Sequence, residues 1–302
     1  MPVAVINGID IEHELHGPEG GEPVLLVMGL GAQLIVWPLA FIEHLVAAGH
    51  RVITFDNRDI GRSGRVAAPA PTVGTLATAL VAPKRAELAY DLGDMADDAA
   101  GLLDHLGIDR AHVVGASMGG MIAQELTIRH PSRVASLTSI MSNTGGRRVG
   151  RMAPSLLPAF LRARRSETGS LEDAMEISRL IAGPHFDESA ARELHLLATE
   201  RAGDAAEAAR GVSRQTLAVL ATRDRTADLG RVTAPTLVVH GLVDRLVRPS
   251  GGIATARAVP GARLVMYPDM AHDVPGVRIP EMAAEIVQNF RRAPISAAVA
   301  AD

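Results

Sequence analysis

Ser117 lies in Gly115-Ala116-Ser117-Met118-Gly119, a Gly-x-Ser-x-Gly spacing. A serine set this way is a candidate nucleophile. The turn strains its backbone and exposes its hydroxyl, and the flanking glycines let a strand and a helix approach without Cβ clashes. In a chain with 29 glycines the spacing alone is weak evidence. Its context is stronger: the apolar run Ala-His-Val-Val (111–114) comes directly before it, and a helix-like segment, MIAQELTIRH (121–130), directly after. The plain alternative is a glycine-rich turn carrying an inert serine.

A serine hydroxyl needs a base, and an imidazole base needs a carboxylate to orient it. Of the 11 histidines, His272 fits best, in the loop Pro268-Asp269-Met270-Ala271-His272 after the last apolar run. His105 and His130 end helices, where a cation is favoured anyway. His44 and His50 flank the first helix, and His185 and His195 fall in a helical stretch. For the acid, Asp244 follows the run PTLVVHG at 235–241. The end of the preceding strand, Ser142-Asn143-Thr144-Gly145, offers no carboxylate. Asp269 and Asp273 are too close to His272 along the chain to align with its Nδ1. The plain alternatives are a surface imidazole and a turn-forming aspartate.

The oxyanion formed on a carbonyl substrate needs donors already in place. The N–H of Met118 opens the helix after the nucleophile, where the helix dipole is positive. A second donor is expected from Met28-Gly29-Leu30-Gly31, the loop after the first long apolar run, and the N–H of Leu30 is the choice. Such chemistry calls for no metal and no organic cofactor.

These residues must be held by a scaffold, and the chain alternates strands and helices. Apolar runs at 23–28, 51–55, 111–114, 133–141, 235–240 and 263–267 read as strands covered on both faces, hence a mostly parallel sheet. Residues 91–107 repeat Leu92, Met95, Ala96, Ala99, Leu102, Leu103 and Leu106 at helical spacing and stop at Gly107. The pattern is that of an α/β domain. The N-terminus reads as a strand pair turning at Asn7-Gly8. Residues 143–230 contain no convincing strand and are rich in Ala, Arg, Leu and Glu. They read as short helices inserted between two strands, giving a core of 1–142 and 231–302 and a helical cap of 143–230. Met152, Leu156, Leu157, Phe160 and Leu161 are spaced like one apolar face of that cap. The tail after Arg292 is expected to fray.

Composition narrows the function. The 302 residues include no cysteine, which excludes a disulfide framework, a thiol nucleophile, a Cys-ligated zinc site and an iron–sulfur cluster. With 30 Lys+Arg against 34 Asp+Glu and 3% aromatic residues, nothing points to nucleic acid or an anionic membrane. No apolar run reaches the ~18 residues of a membrane span. The N-terminal stretch MPVAVINGIDIEHELHG has no basic region and no long apolar region, so no signal peptide is expected, and the default compartment is the cytoplasm.

The segments VMGLGAQ (27–33), FDNRDIGRS (55–63), DMADDAAGLLDHLGI (94–108), AHVVGASMGGMIAQ (111–124) and HGLVDRLVRP (240–249) resemble the α/β-hydrolase superfamily. Within it the chain is most similar to actinobacterial carboxylesterases of the aclacinomycin methylesterase kind. The resemblance implies an α/β-hydrolase fold, a Ser117–Asp244–His272 triad, an oxyanion hole at Leu30 and Met118, and a helical cap at ~143–230. Met28 stands where many relatives carry His. The charged run 56–63 resembles the family's structural loop beside the site and is assigned to loop architecture. Residues 64–90 are not accounted for by the resemblance and are expected near the pocket entrance. The reading is a serine hydrolase of small to medium apolar carboxylic esters. Its partner is a small-molecule ester, with no nucleic acid and no membrane span, and a homo-oligomer is left open. Two rivals are a cofactor-free haloperoxidase or perhydrolase using the same triad and a non-catalytic binding protein on the same fold.

Overall fold

The structure, a computed structural model, describes residues 2–160 and 171–295. Strands β1 (Val3–Ile6) and β2 (Ile9–His16) form an antiparallel hairpin. Its two turn residues, Asn7 and Gly8, have φ of 50° and 77°, the left-handed values a tight primed turn requires. Six parallel strands follow: β3 (Glu22–Val27), β4 (His50–Phe55), β5 (Ala111–Ala116), β6 (Val134–Ile140), β7 (Thr236–Gly241) and β8 (Arg263–Tyr267). The sheet order is β1-β2-β4-β3-β5-β6-β7-β8, with β2 antiparallel to β4. Each of the six apolar runs in the sequence therefore falls on a parallel strand.

Helices cover both faces, which is why those runs are uniformly apolar. On one face, α3 (Leu92–His105) and α4 (Met118–Arg129) bury Leu102, Leu103 and Ile122 with Leu25, Ile53 and Val113. On the other, α1 (Leu39–Ala47) and α10 (Ile279–Phe290) bury Phe41, Leu45, Ile286 and Phe290 with Leu26, Val52 and Val114. A further helix, α9 (Ser250–Ala258), lies against β7 and β8. The start of α3 is fixed by a capping box. Asp91 accepts from the N–H groups of Gly93 and Asp94, and the Asp94 carboxylate accepts from the N–H of Asp91. Among the described residues no helix is long and apolar enough to cross a membrane.

Strand order reverses at β3. The chain steps from β3 outward to β4, then returns to lay β5 on the other side of β3. At such a switch point the loops leaving the strands diverge, and a crevice opens at their C-terminal ends. Gly29 and Ser117, which follow β3 and β5, meet there.

Between β6 and β7 the described residues hold no strand. After a 3₁₀ turn at Pro154–Leu156, residues 157–160 are helical; beyond lie α5 (Leu171–Ile181), α6 (Glu188–Ala202), α7 (Ala205–Leu220) and α8 (Thr226–Leu229). The apolar face expected from Met152 to Leu161 is split. Leu156 is buried, but Leu157 is 48% exposed. The three-residue repeat of the 3₁₀ turn rotates the next residues off the 3.6-residue register. Leu161 lies outside the described residues. In the segment 64–90, α2 (Val73–Val81) packs Leu76 and Ala79 on Leu217 of α7, extending the helical layer. Of the tail expected to fray after Arg292, the described part ends at Ile295, whose N–H donates to the Glu22 carboxylate at 3.0 Å. The rest of the tail, 296–302, lies outside the described residues.

Candidate active site

Ser117 joins β5 to α4 with φ 56° and ψ −119°, a strained conformation for a non-glycine residue. Its glycine neighbours are required by close backbone approach. A Cβ on Gly115 would lie 2.1 Å from the carbonyl oxygen of Gly119, and one on Gly119 would lie 2.0 Å from that of Val27. The N–H of Ser117 donates to the carbonyl of Ile140 at 2.9 Å, tying the turn to the neighbouring strand.

Three side chains far apart in sequence meet above this turn. Ser117 Oγ is 2.9 Å from His272 Nε2, and His272 Nδ1 is 2.8 Å from Asp244 Oδ2. An Asp carboxylate can only accept, so Nδ1 carries the proton, and Nε2 is left to accept from the serine hydroxyl. The N–H of His272 donates to the carbonyl of Ile181 at 3.0 Å, so the end of α5 steadies the histidine loop.

Asp244 is buried in the loop after β7. Its Oδ1 accepts from the N–H groups of Leu246 and Val247, both at 2.9 Å. Burial opposes its charge, but the His272 imidazole and then His240 outweigh that and hold its pKa at about 2. It is therefore ionised at neutral pH. The buried His240 donates from Nε2 to the carbonyl of Val247 at 2.7 Å, and the same nitrogen is 3.5 Å from Asp244 Oδ2.

The loop after β3 closes on the serine. A Cβ on Gly29 would lie 3.1 Å from Ser117 Cβ, so Leu30 follows directly on the residue in contact with Ser117. The carbonyl of Met28 accepts from Asn57 Nδ2 at 3.0 Å. Met118 is the first residue of α4, where backbone N–H groups have no acceptor within the helix. Of the five residues singled out in the sequence, Ser117, His272 and Asp244 are joined by hydrogen bonds, Met118 follows Ser117 at the start of α4, and Leu30 follows Gly29, which packs on Ser117. The carboxylates set aside go elsewhere. Asp269 binds His185 and Arg278, and Asp273 accepts from the N–H groups of Gly183 and Ala271.

The sequence model of the alpha/beta hydrolase fold matches residues 22–277. The chain belongs to this family. Among the relatives of this hydrolase-fold protein is rhodomycin D methylesterase DnrP of Streptomyces peucetius. It is 30% identical over 319 residues, covering 98% of this chain and 100% of that protein. A solved structure of a thermophilic esterase from Thermogutta terrifontis is 26% identical with a TM-score of 0.67, covering 96% of this chain and 97% of that one. The enol-lactonase from Burkholderia xenovorans LB400, 24% identical, covers 96% and 100% with a TM-score of 0.70, a likeness of fold alone.

The charged run at 56–63 does build the loop beside the site, and its contacts reach further than its sequence suggests. Asp56 accepts from the N–H groups of Leu34 at 2.6 Å and Arg62 at 3.0 Å. It also meets Arg201 of α6, whose guanidinium reaches Glu12 at 2.7 Å, Asp56 at 3.0 Å and Gln33 at 2.9 Å. Burial is the main force raising the Asp56 pKa above the ordinary range. Its two backbone donors and Arg201 offset that only in part, and Glu12 adds to it. Asp59 takes a two-pronged contact from Arg214 of α7, at 2.8 Å on each oxygen, and a hydrogen bond from Tyr90 at 2.7 Å. Burial opposes its charge, but Arg214, the N–H of Val66 and Tyr90 bring its pKa below the ordinary value. No local pattern marks the arginine contacts, because Arg201 and Arg214 lie more than a hundred residues from the partners they reach in this loop and in β2.

Proposed function

We propose that the protein is a serine hydrolase of carboxylic esters with Ser117 as nucleophile, His272 as general base and acid, and Asp244 as the orienting carboxylate. The observation that carries this reading is the unbroken hydrogen-bonded chain Ser117–His272–Asp244 on a strained strand–helix turn. The resemblance to a methylesterase along the whole chain supports the ester as substrate class.

Ser117 Oγ attacks the ester carbonyl while His272 Nε2 takes its proton. Asp244 stabilises the imidazolium through Nδ1–H. The N–H groups of Leu30 and Met118 hold the oxyanion of the tetrahedral intermediate. Collapse expels the alcohol, which receives the proton from His272. A water activated by the same imidazole then attacks the acyl-enzyme and releases the acid. On this reading residues 143–230 form a cap over the core of 1–142 and 231–302, and the enzyme works in the cytoplasm on small, apolar esters.

The test is labelling with a fluorophosphonate probe, followed by rates on acyl esters, methyl esters, lactones and thioesters, with and without peroxide and halide. Covalent labelling at Ser117 and ester turnover independent of peroxide are expected. A wild-type label on Ser117→Ala would place the nucleophile elsewhere. Halogenation without ester turnover would favour the haloperoxidase reading.

A further inference from the structure

The turn that carries Leu30 is not held by the core alone. It runs from Gly29 to Ala32, closed by the Ala32 N–H on the carbonyl of Gly29 at 3.2 Å. Gly31 occupies its third position with φ +70°, the value of a type II turn, which favours glycine there. Types I and II differ by a flip of the middle peptide, here the one between Leu30 and Gly31. Whatever binds the N–H of that peptide therefore decides which turn persists.

The partner comes from the helical insertion. The N–H of Gly31 donates to Gln215 Oε1 at 3.0 Å, and Gln215 Nε2 donates to the carbonyl of Arg58 at 2.9 Å. Gln215 is completely buried, so its amide has no water to exchange with. Helix α7 is seated to aim it. Gly211 lets the helix touch the loop, since a Cβ there would lie 2.3 Å from the carbonyl oxygen of Asp59. Arg214 grips the Asp59 carboxylate, and the Val212 side chain lies over Gly31. Gly211, Arg214 and Gln215 fall at i, i+3 and i+4, one face of the helix.

We infer that Gln215 is a positioning residue for the oxyanion hole, so that the insertion must be seated on the core for Leu30 to present its N–H. The inference rests on the proposed roles of Ser117 and Leu30. If α7 lifts, Gly31 loses its acceptor, the middle peptide is free to flip, and the preceding N–H loses its registration. Such donors act only when held within about 0.5 Å of the productive geometry. Binding of substrate can persist while stabilisation of the transition state is lost.

The test compares Gln215→Met, similar in length but without donor or acceptor, with Gln215→Glu, which retains an acceptor oxygen for Gly31 in either protonation state. Gln215→Met is expected to lower kcat on the order of 10-fold or more, less than the roughly 10²–10³-fold of deleting a donor outright. KM should stay within about 2-fold, since the interaction is made in the transition state. Affinity for a trifluoromethyl ketone, which Ser117 converts to a tetrahedral oxyanion, should fall by the same factor as kcat/KM. Gln215→Glu should keep more of kcat than Gln215→Met, and it carries the test if the latter fails to fold. An unchanged kcat, a rise in KM alone, or equal losses in both variants would overturn the inference. Ser117→Ala separates the two levels. If it retains turnover, the proposed function itself fails. If it is inactive while Gln215→Met is not, only the role of Gln215 fails.

Discussion

Asp244 and Asp56 are both buried carboxylates just beyond the C-terminal end of a parallel strand, β7 and β4, yet their surroundings push them in opposite directions. Asp244 has two backbone N–H groups on one oxygen and two imidazoles near the other, with its pKa held at about 2. Asp56 also has two backbone donors, but its burial outweighs them and the Arg201 it shares with Glu12, and Glu12 adds to the effect, so its pKa rises. The first site is charged because its own loop and the adjoining strands make it so. The second is tolerable because a cation arrives from a helix 145 residues away. The Ser117 turn and the Asp244 carboxylate are thus held largely by backbone groups at their own strand ends, and the helical insertion by long-range buried charge. Substitutions at four positions test this division.

The largest effect is expected at the proposed nucleophile. Ser117→Ala should lower ester turnover on the order of 10⁴-fold or more. Because the turn is held by Gly115, Gly119 and the Ser117 N–H, none of which the substitution alters, thermal unfolding should stay near wild type. A large drop in melting temperature would show that the hydroxyl also holds the loop, and the division would blur.

Arg201→Met should do the reverse, leaving the proposed triad untouched while costing about 3–5 kcal/mol of stability, because two buried carboxylates lose their cation. The pH dependence has a definite sign. A carboxyl whose folded pKa lies above its unfolded value contributes stability fully present below the unfolded pKa and lost as pH rises through the folded one. Removing Arg201 raises Asp56 further, so the deficit should be greatest near pH 8 and shrink toward pH 5. Urea unfolding at both values measures it. A deficit that grows in acid would mean that Arg201 works by packing and not by charge.

The same division decides what can be read from the sequence. The serine turn, the Asn7-Gly8 hairpin, the six strands and the α3 cap are written in residues within about ten positions of one another. Asp244 and His272 are legible because each follows an apolar strand, and strand ends are where such a sheet gathers its loops. Arg201, Arg214 and Gln215 are not legible. On a helical wheel they look like any polar residue, and only the docked geometry shows that they face inward to Asp56, Asp59 and Gly31. Leu157 departs from expectation for a related reason, since helical spacing does not carry across a 3₁₀ turn.

At the proposed oxyanion loop, backbone and side chain can be separated. Leu30 is 39% exposed, and its proposed part is played by its N–H. Leu30→Ala should therefore keep much of the activity, whereas Leu30→Pro, which removes that N–H, should lose on the order of 10²-fold. Equal losses in both would mean that Leu30 acts by packing and that the second oxyanion donor lies elsewhere.

The smallest effect is expected from an ion pair that resembles the buried ones only on paper. Arg179 of α5 pairs with Glu188 of α6, and both are exposed, with side chains 39% and 54% accessible. In water the attraction is weak, and holding two long side chains in one geometry offsets it. Arg179→Gln should therefore leave the melting temperature and kcat unchanged within measurement scatter, at low and at high salt alike. Arg179 and Arg201 are the same residue type, in the same helical insertion, facing the same kind of partner, and they differ in whether water reaches them. If Arg179→Gln destabilised the protein as much as Arg201→Met, charge pairing in general would hold the insertion. The buried contacts to Asp56 and Glu12 would then have no special standing.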